Sequence, residues 1–374
     1  MALILNEEQQ MLRDSAKSFI EESSPVSALR ARRDRGDEWS RELWQGMAEM
    51  GWSGITIPEA YGGLEFGYVG AGLVMEECGR VLAPSPLLSS SFVCASLITS
   101  LGSAAQKETL LPAIASGESI VSLAISESDR FDPLAMTLSA QADGDDFLLY
   151  GSKRHVLDGQ IADTFIVAAN AENEAEKTSL FIVAGDAPGV TIETTRNADN
   201  RFVTSMQFDS VRVAAENLLG APGSARPALE LALDVGAVLS AAELSGVAQE
   251  AFERTLEYLK ERRQFGVPVG SFQALQHRAA QLFCELELCK SAILKAEQAI
   301  DDDSPERSRL ASLAKAKTAK TAKLAVNEAV QMFAGIGMTD EFDIGFFMKR
   351  AAAACQEFGD YYYHADRFAL LGGY

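Results

Sequence analysis

The hydrophobic residues of this 374-residue chain change their spacing twice along its length. Up to residue 118 they recur every three or four positions, and the segment EEQQMLRDSAKSFIEE places four apolar side chains on one helical face: Leu12, Ala16, Phe19 and Ile20. Short runs such as TFIVAA and SLFIVA then indicate β-strands, before the helical spacing returns. The pattern predicts an α+β fold with three domains, at residues 1–118, 119–218 and 219–374.

The last domain contains three long helical stretches. They run from about residue 229 to 263, from 272 to about 300 and from 308 to about 333, where two glycines follow. Long helices in succession imply a helical bundle. In the middle domain, the segment ADGDDF at residues 142–147 predicts a hairpin turn between two strands.

Composition bears on several classes of function. The formal net charge is −20, whereas a protein that follows nucleic-acid phosphates needs clustered Lys and Arg. With only three histidines and no acidic ligands at metal spacing, we expect no metal site. No basic segment precedes an apolar stretch at the N-terminus, and no apolar run approaches the roughly 20 residues that cross a bilayer. We therefore expect a cytoplasmic enzyme or subunit without a nucleic-acid partner and without membrane insertion.

Four segments of the chain closely resemble those of one enzyme family. They are GWSGITIPEAYGG at 51–63, EECGRVLAPSP at 76–86, ERRQFGVPVGSFQALQH at 261–277 and QMFAGIG at 331–337. Their types and order resemble the acyl-CoA dehydrogenase family, and the resemblance covers essentially the whole chain. It implies an N-terminal helical domain, a middle β-barrel-like domain and a C-terminal four-helix bundle. It also implies the family's reaction, the FAD-dependent α,β-dehydrogenation of an acyl-CoA thioester.

The resemblance implies an FAD site shared between the β domain, the bundle and a neighbouring subunit. Matching positions that contact the pyrophosphate or adenine side of FAD are Arg262, Arg263, Gln264, Phe272 and Gln273. The guanidinium of Arg262 presents a donor fork that suits phosphate oxygens. The segment from Gln331 to Gly335 matches one that supports the adenine end, where small residues let backbone come close. The implied partners are an acyl-CoA substrate, an electron-transfer flavoprotein or similar acceptor, and other subunits.

The family's catalytic base is absent from its usual positions. In the family a carboxylate removes the α proton, while the β hydrogen leaves as hydride to the flavin. The usual base position, followed by Gly359, is occupied by Phe358, and an alternative family position falls on Gly236. The remaining candidates are Asp360, which we rank first, and Glu357; Glu243 lies two turns beyond Gly236, roughly 10 Å along the helix axis.

The flavin-facing β segments also depart from the family pattern. Ser126 keeps a hydroxyl where the family has Thr, but the glycine-serine pair that follows in the family is missing. The family's Trp-Ile-Thr beside the flavin reads His155-Val156-Leu157, so a stacking indole and a hydroxyl donor are both lost. His155 either replaces an acid-base group, since imidazole titrates near neutral pH, or fills the space of the indole.

Four functions remain open at this point. The first is an active dehydrogenase with Asp360 as its base. The second is a base-lacking partner subunit in a heteromeric α2β2 complex, of the kind that in this family acts on bulky CoA thioesters such as steroid fragments. A structural or binding protein on the same fold without FAD and an oxidase relative that reacts with oxygen are two further alternatives. The first two predict a homo-oligomer and a hetero-oligomer respectively.

Overall fold

A computed structural model describes residues 3–37, 39–171 and 177–374. The chain divides into two compact units. The first contains Met1–Asp37, Tyr68–Pro84 and Ala237–Tyr374, and the second contains Glu38–Gly67 and Ser85–Gly236. One boundary, between residues 236 and 237, falls within the longest helix. The N-terminal helices are divided between the two units at other boundaries.

The N-terminal region is helical. Its elements are α1 Glu7–Ser23, α2 Val26–Arg35, α3 Arg41–Glu49, α4 Tyr68–Val81, a π-helix Leu87–Cys94, α5 Ala95–Leu101 and α6 Ala104–Ala115. α1 begins with a capping box in which Asn6 and Gln9 satisfy each other's backbone N–H groups. The predicted apolar face is the one that packs, since Ala16 and Ile20 are buried.

The middle region is one mixed sheet. Its strands are β1 Val121–Ala124, β2 Ser139–Asp143, β3 Asp146–Leu157, β4 Thr164–Ala171, β5 Thr178–Ala184, β6 Val190–Arg196, β7 Phe202–Val213 and β8 Leu218–Leu219. The order is β6-β7-β3-β2-β4-β5-β8, and β1 pairs in parallel with β4. The predicted hairpin is confirmed: Asp143 pairs with Asp146 around Gly144, whose φ of 67° favours glycine. A buried apolar cluster that includes Leu149, Phe165 and Phe208 holds this sheet.

The C-terminal region is helical again. Its elements are α7 Arg226–Glu261, β9 Arg263–Gln264, β10 Val267–Pro268, α8 Gln273–Asp301, α9 Arg307–Phe333, α10 Ile344–Ala354 and α11 Tyr361–Leu371. Each long helix lies within a few residues of its predicted bounds. Within the described ranges, α7 is the one helix long and apolar enough to cross a membrane, and 94% of its apolar window is buried inside the protein. The helical, β, helical order confirms the predicted fold class.

Candidate functional site

The segment after α7 forms an exposed hairpin. β9 and β10 pair antiparallel around Phe265 and Gly266, whose φ values of 53° and 82° are those of a type I′ turn. The turn displays the Phe265 ring, which is 91% exposed and lies 6.3 Å from that of Phe272 in an edge-to-face arrangement. A bulky residue in the left-handed region is strained, so this aromatic side chain is presented at an energetic cost.

Arg262 lines a pocket of about 390 Å³ beside this hairpin. Tyr258 and Phe333 stack with ring centroids 4.3 Å apart, and Phe342 meets both rings edge-on. The lining residues are Arg254, Glu257, Tyr258, Glu261, Arg262, Phe333, Phe342, Asp343 and Ile344. The lining thus combines an aromatic wall and an arginine fork with three carboxylates, so it offers apolar surface for a planar ring and a local donor fork without a net positive charge.

The remaining bundle residues of the predicted FAD site lie at the surface or at a strained turn. Arg263, Gln264 and Gln273 are exposed, as is Gln331 in the last turn of α9. The next turn begins at Ala334, whose φ of 56° and ψ of −142° are unusual for a residue with a side chain. A Cβ at Gly335 would meet no described atom within 4 Å, so this chain's own packing leaves room there.

Two of the predicted flavin-facing residues of the β domain accept short hydrogen bonds through their backbone carbonyls. The backbone N–H of Arg154 donates to the carbonyl of Ser126 at 2.7 Å, and the Ser122 hydroxyl donates to the carbonyl of Leu157 at 2.5 Å. His155 lies at a β-bulge between Lys153 and Val156, with a φ of 54°. A bulge re-aims the side chain that it carries, and His155 is half-exposed with Nε2 3.4 Å from Asp129 Oδ1.

A buried ion pair next to these residues was not foreseen from the sequence. The Lys153 ammonium is fully buried and donates to Glu127 Oε1 at 2.7 Å and to the carbonyl of Ile125 at 3.1 Å. Burial lowers the pKa of Lys153 to about 8, while Glu127 opposes that change. Burial alone would raise the pKa of Glu127, but Lys153 and donors at Thr137 and Leu138 hold it below its usual value. The sequence signal was weak, because Lys153 stands within a run of polar residues in β3.

The loop at the family's base position has a defined geometry. Phe358 and Gly359 have φ values of 55° and 102°, and a Cβ at Gly359 would come within 2.6 Å of the Tyr363 ring. Asp360 is the N-cap of α11, and its carboxylate accepts the Tyr363 N–H at 2.8 Å. His364 Nε2 donates to the carbonyl of Phe358 at 2.8 Å. Burial lowers the pKa of His364 to about 3, so the imidazole is neutral at physiological pH.

Glu357 shares one buried arginine with Glu243, a residue whose distance from Gly236 along α7 argues against it as the base. Arg350 donates to Glu243 through Nε at 2.9 Å and Nη2 at 2.7 Å, and to Glu357 through Nη1 at 2.7 Å and Nη2 at 2.9 Å. The side chains of Arg350, Glu243 and Glu357 are 3%, 2% and 12% exposed. Both carboxylates are thus occupied in a bidentate ion pair. An arginine within the run FFMKRAAAAC was the signal for this cluster.

Backbone strain recurs at the positions that the sequence singled out. His155, Phe265, Ala334 and Phe358 all have positive φ despite carrying side chains. Such residues cost of order 1–3 kcal/mol each and concentrate at functional sites. Six further residues with side chains share this property in the described part of the chain, so the strain marks individual positions and does not assemble them into one site.

Comparison with known proteins assigns the fold to a family. Family models of the acyl-CoA dehydrogenase N-terminal, middle and C-terminal domains match residues 6–118, 122–211 and 226–359. The chain belongs to the acyl-CoA dehydrogenase family. Its relatives are acyl-CoA dehydrogenases, which are oxidoreductases acting on CH–CH groups.

Individual relatives cover nearly the full chain. The probable acyl-CoA dehydrogenase YngJ of Bacillus subtilis (strain 168) is 32% identical over 93% of each sequence. The structure of butyryl-CoA dehydrogenase from Megasphaera elsdenii is 25% identical, with a TM-score of 0.91 over 100% of this chain and 99% of that one. The Tcur3481-Tcur3483 steroid ACAD is 29% identical, with a TM-score of 0.88 over 98% of both chains.

The residues of this family member fit the cofactor that the acyl-CoA dehydrogenase fold implies. Arg262 offers the phosphate-binding fork, while the aromatic wall of its pocket and the exposed Phe265–Phe272 pair offer apolar surface for a ring system. The base position fits less well, because Phe358 has no group that accepts a proton.

Proposed function

We propose that this chain binds FAD and takes part in the α,β-dehydrogenation of an acyl-CoA thioester. The observation that carries the proposal is the setting of Arg262. Its pocket has an aromatic wall, and the strained hairpin that follows displays Phe265 to the outside. Membership of the acyl-CoA dehydrogenase family supports the same reaction class.

Each group of residues then has a distinct task. Arg262 binds the pyrophosphate, and Phe265, Phe272 and Gln273 cover the adenine side, with Gln331 and Gly335 as further contacts. Arg263 and Gln264 hold the hairpin strand beside them. On the β domain, Ser126, His155 and Leu157 face the flavin ring. When bound, FAD accepts the hydride that leaves the β carbon of the substrate. An electron-transfer flavoprotein or a similar acceptor takes the electrons onward.

A second candidate is a partner subunit without its own base. The observation that favours it is the state of the nearby carboxylates: Glu243 and Glu357 are both bound to Arg350, and Asp360 caps α11. A proton-abstracting carboxylate must reach the substrate with a free oxygen, and Phe358 offers none. The similar steroid ACAD is named as a pair of two proteins, which supports a heteromeric arrangement.

The first experiment is an absorbance spectrum of the protein purified alone, repeated with a panel of acyl-CoA thioesters. Bound FAD whose visible band bleaches on substrate addition supports a self-sufficient enzyme. Asp360→Asn then tests the base, because Asn caps a helix as well as Asp does and leaves α11 intact. A loss of bleaching in this variant assigns the base to Asp360, and unchanged bleaching excludes it.

A reciprocal variant tests the partner-subunit candidate. If the chain lacks only its base, Phe358→Glu places a carboxylate on the existing loop and confers dehydrogenation on a protein that otherwise binds FAD without turnover. Phe358→Gln is the matched control, because it has the same shape and no basic oxygen. Equal activity in the Glu and Gln variants would contradict the candidate. A wild-type protein that binds no FAD alone and acquires none when co-expressed with a related subunit would contradict the proposed function as a whole.

A further inference from the structure

The π-helix Leu87–Cys94 is the least ordinary element of the second unit. All eight of its residues are buried, and three consecutive ones are serines: Ser89, Ser90 and Ser91. π-helices are rare, are usually single-turn interruptions of α-helices and are frequent at functional sites. Burying a hydroxyl group costs free energy unless the group forms a hydrogen bond. The hydrogen-bond partners of these serines therefore show which neighbouring segments the π-helix supports.

Two of the serines bond to the strands that carry the proposed flavin-facing residues. Ser90 Oγ accepts the N–H of Val121 at 3.0 Å, at the start of β1. Ser89 Oγ donates to Asp158 Oδ2 at 2.6 Å, and Asp158 directly follows Leu157 at the end of β3. The π-helix is therefore hydrogen-bonded to the start of β1 and to the residue that follows β3.

A third buried serine closes the connection between those strands. Ser122 of β1 is fully buried and donates to the carbonyl of Leu157. β1 leads on to Ser126, whose carbonyl is bonded to the Arg154 N–H of β3. The segments of Ser126 and Leu157 are thus held by a set of hydrogen bonds that begins on the π-helix.

The end of β3 needs such support because it departs from strand geometry. His155 and Asp158 both have a φ of 54°, and the register shifts between Lys153 and Val156. Strained backbone persists only where surrounding contacts over-determine it. The bonds from Ser89 and Ser122 are contacts of that kind.

We propose that Ser89, with Asp158 as its acceptor, is a positioning residue that holds the Leu157 end of β3 in the geometry required for flavin binding. This inference rests on the proposed function. Ser89 acts through the strand and is not itself a contact to the cofactor. Ser90, which accepts from the start of β1, and Ser122 of β1 complete the same support.

Ser91 provides a matched control on the same helix. It is as buried as its neighbours, yet its hydroxyl has no hydrogen-bond partner within the described part of the chain. Ser89→Ala and Ser91→Ala therefore remove the same atom from the same element, and only the first breaks a link to β3. Asp158→Asn keeps an acceptor oxygen and suits a left-handed position, so it serves as a conservative companion to Asp158→Ala.

The test is a titration of the full chain with FAD, read by flavin absorbance and by the reduction potential of the bound flavin. We expect Ser89→Ala to raise the FAD dissociation constant about tenfold, as loss of one hydrogen bond to a charged group predicts, and Asp158→Ala to raise it at least as much. Both variants also move the flavin bands and the potential. Asp158→Asn retains binding near wild type, and Ser91→Ala changes the constant by less than about twofold.

Two results would overturn the inference alone. One is Ser89→Ala protein that is thermally destabilised but binds FAD with wild-type affinity, spectrum and potential, which is the behaviour of a merely structural residue. The other is an equal effect of Ser91→Ala. A wild-type chain that binds no FAD, either alone or together with a related subunit, is a different outcome, since it contradicts the proposed function and removes the flavin site on which this inference depends.

Discussion

Lys315 offers a direct test of how the bundle tolerates a buried charge. It lies on α9, is fully buried, and donates to Ser240 Oγ and to the carbonyl of Ala354, both at 2.8 Å. Both acceptors are uncharged. Burial lowers the pKa of Lys315 from 10.5 to about 8, although Cys355 and Glu357 oppose the change.

The size of the effect follows from that pKa. At about 1.36 kcal/mol per pH unit, the fall from 10.5 to about 8 corresponds to roughly 3 kcal/mol of destabilisation that is fully present below pH 8. Because the folded-state pKa is the lower one, the unfolded chain binds more protons between about pH 8 and 10.5, and stability rises with pH across that window. Lys315→Met removes the charge and keeps most of the volume. The carbonyl of Ala354 and the Ser240 oxygen both lose the lysine donor, but the Ser240 hydroxyl still donates to the carbonyl of Ala237.

We expect Lys315→Met to raise the free energy of unfolding at pH 7 by about 1–2 kcal/mol, after subtraction of the lost hydrogen bonds. Urea unfolding of both proteins from pH 7 to 10.5 measures the difference. The advantage of the variant shrinks as pH rises, because the wild-type lysine loses its charge. The reasoning is refuted if the variant is less stable at pH 7 or if the difference between the proteins does not depend on pH.

Lys153→Met is the matched control for this experiment. Lys153 has the same burial and the same pKa of about 8, but its ammonium is paired with Glu127. Removing it leaves a partly buried carboxylate without its cation, so we expect destabilisation where Lys315→Met stabilises.

Two further predictions concern the bundle and the strained turn. Arg350→Ala leaves Glu243 and Glu357 buried without this cation. We expect urea titration to show that the free energy of unfolding falls by about 3–5 kcal/mol. A fall of less than about 1 kcal/mol would show that the cluster is solvated. Ala334→Gly relieves a backbone conformation that favours glycine, and we expect it to stabilise the protein by about 1 kcal/mol; a lower melting temperature than wild type would contradict the strain at this position.

The sequence predicts elements better than it predicts contacts between distant residues. The bounds of α7, α8 and α9 and the hairpin at Gly144 follow from local periodicity and turn chemistry, which depend on neighbouring residues alone. The pairing of Arg350 with Glu243 joins positions 107 residues apart, and no local pattern specifies it. The π-helix is hidden for a related reason, because its apolar residues would serve an α-helix equally well.

The same limit applies to the candidate site. Position 358 could be located by its place in the family pattern, and so could the residues of the Arg262 hairpin. The cap formed by Asp360, the imidazole bond to the Phe358 carbonyl and the bulge at His155 depend on backbone geometry that no residue type dictates. These are the features that decide whether a nearby carboxylate is free to act.

The loop at Phe358 also bears on how such a chain evolves. Codons for phenylalanine and glutamate differ at every position, so no single-nucleotide change restores a glutamate there. Meanwhile His364 and Gly359 maintain a backbone conformation that a phenylalanine does not favour. If the chain is the base-lacking partner subunit of the second candidate function, one nucleotide change therefore does not supply a glutamate at this position. Dependence on a second gene that supplies the carboxylate would then be a stable condition, passed on as long as both genes are inherited together.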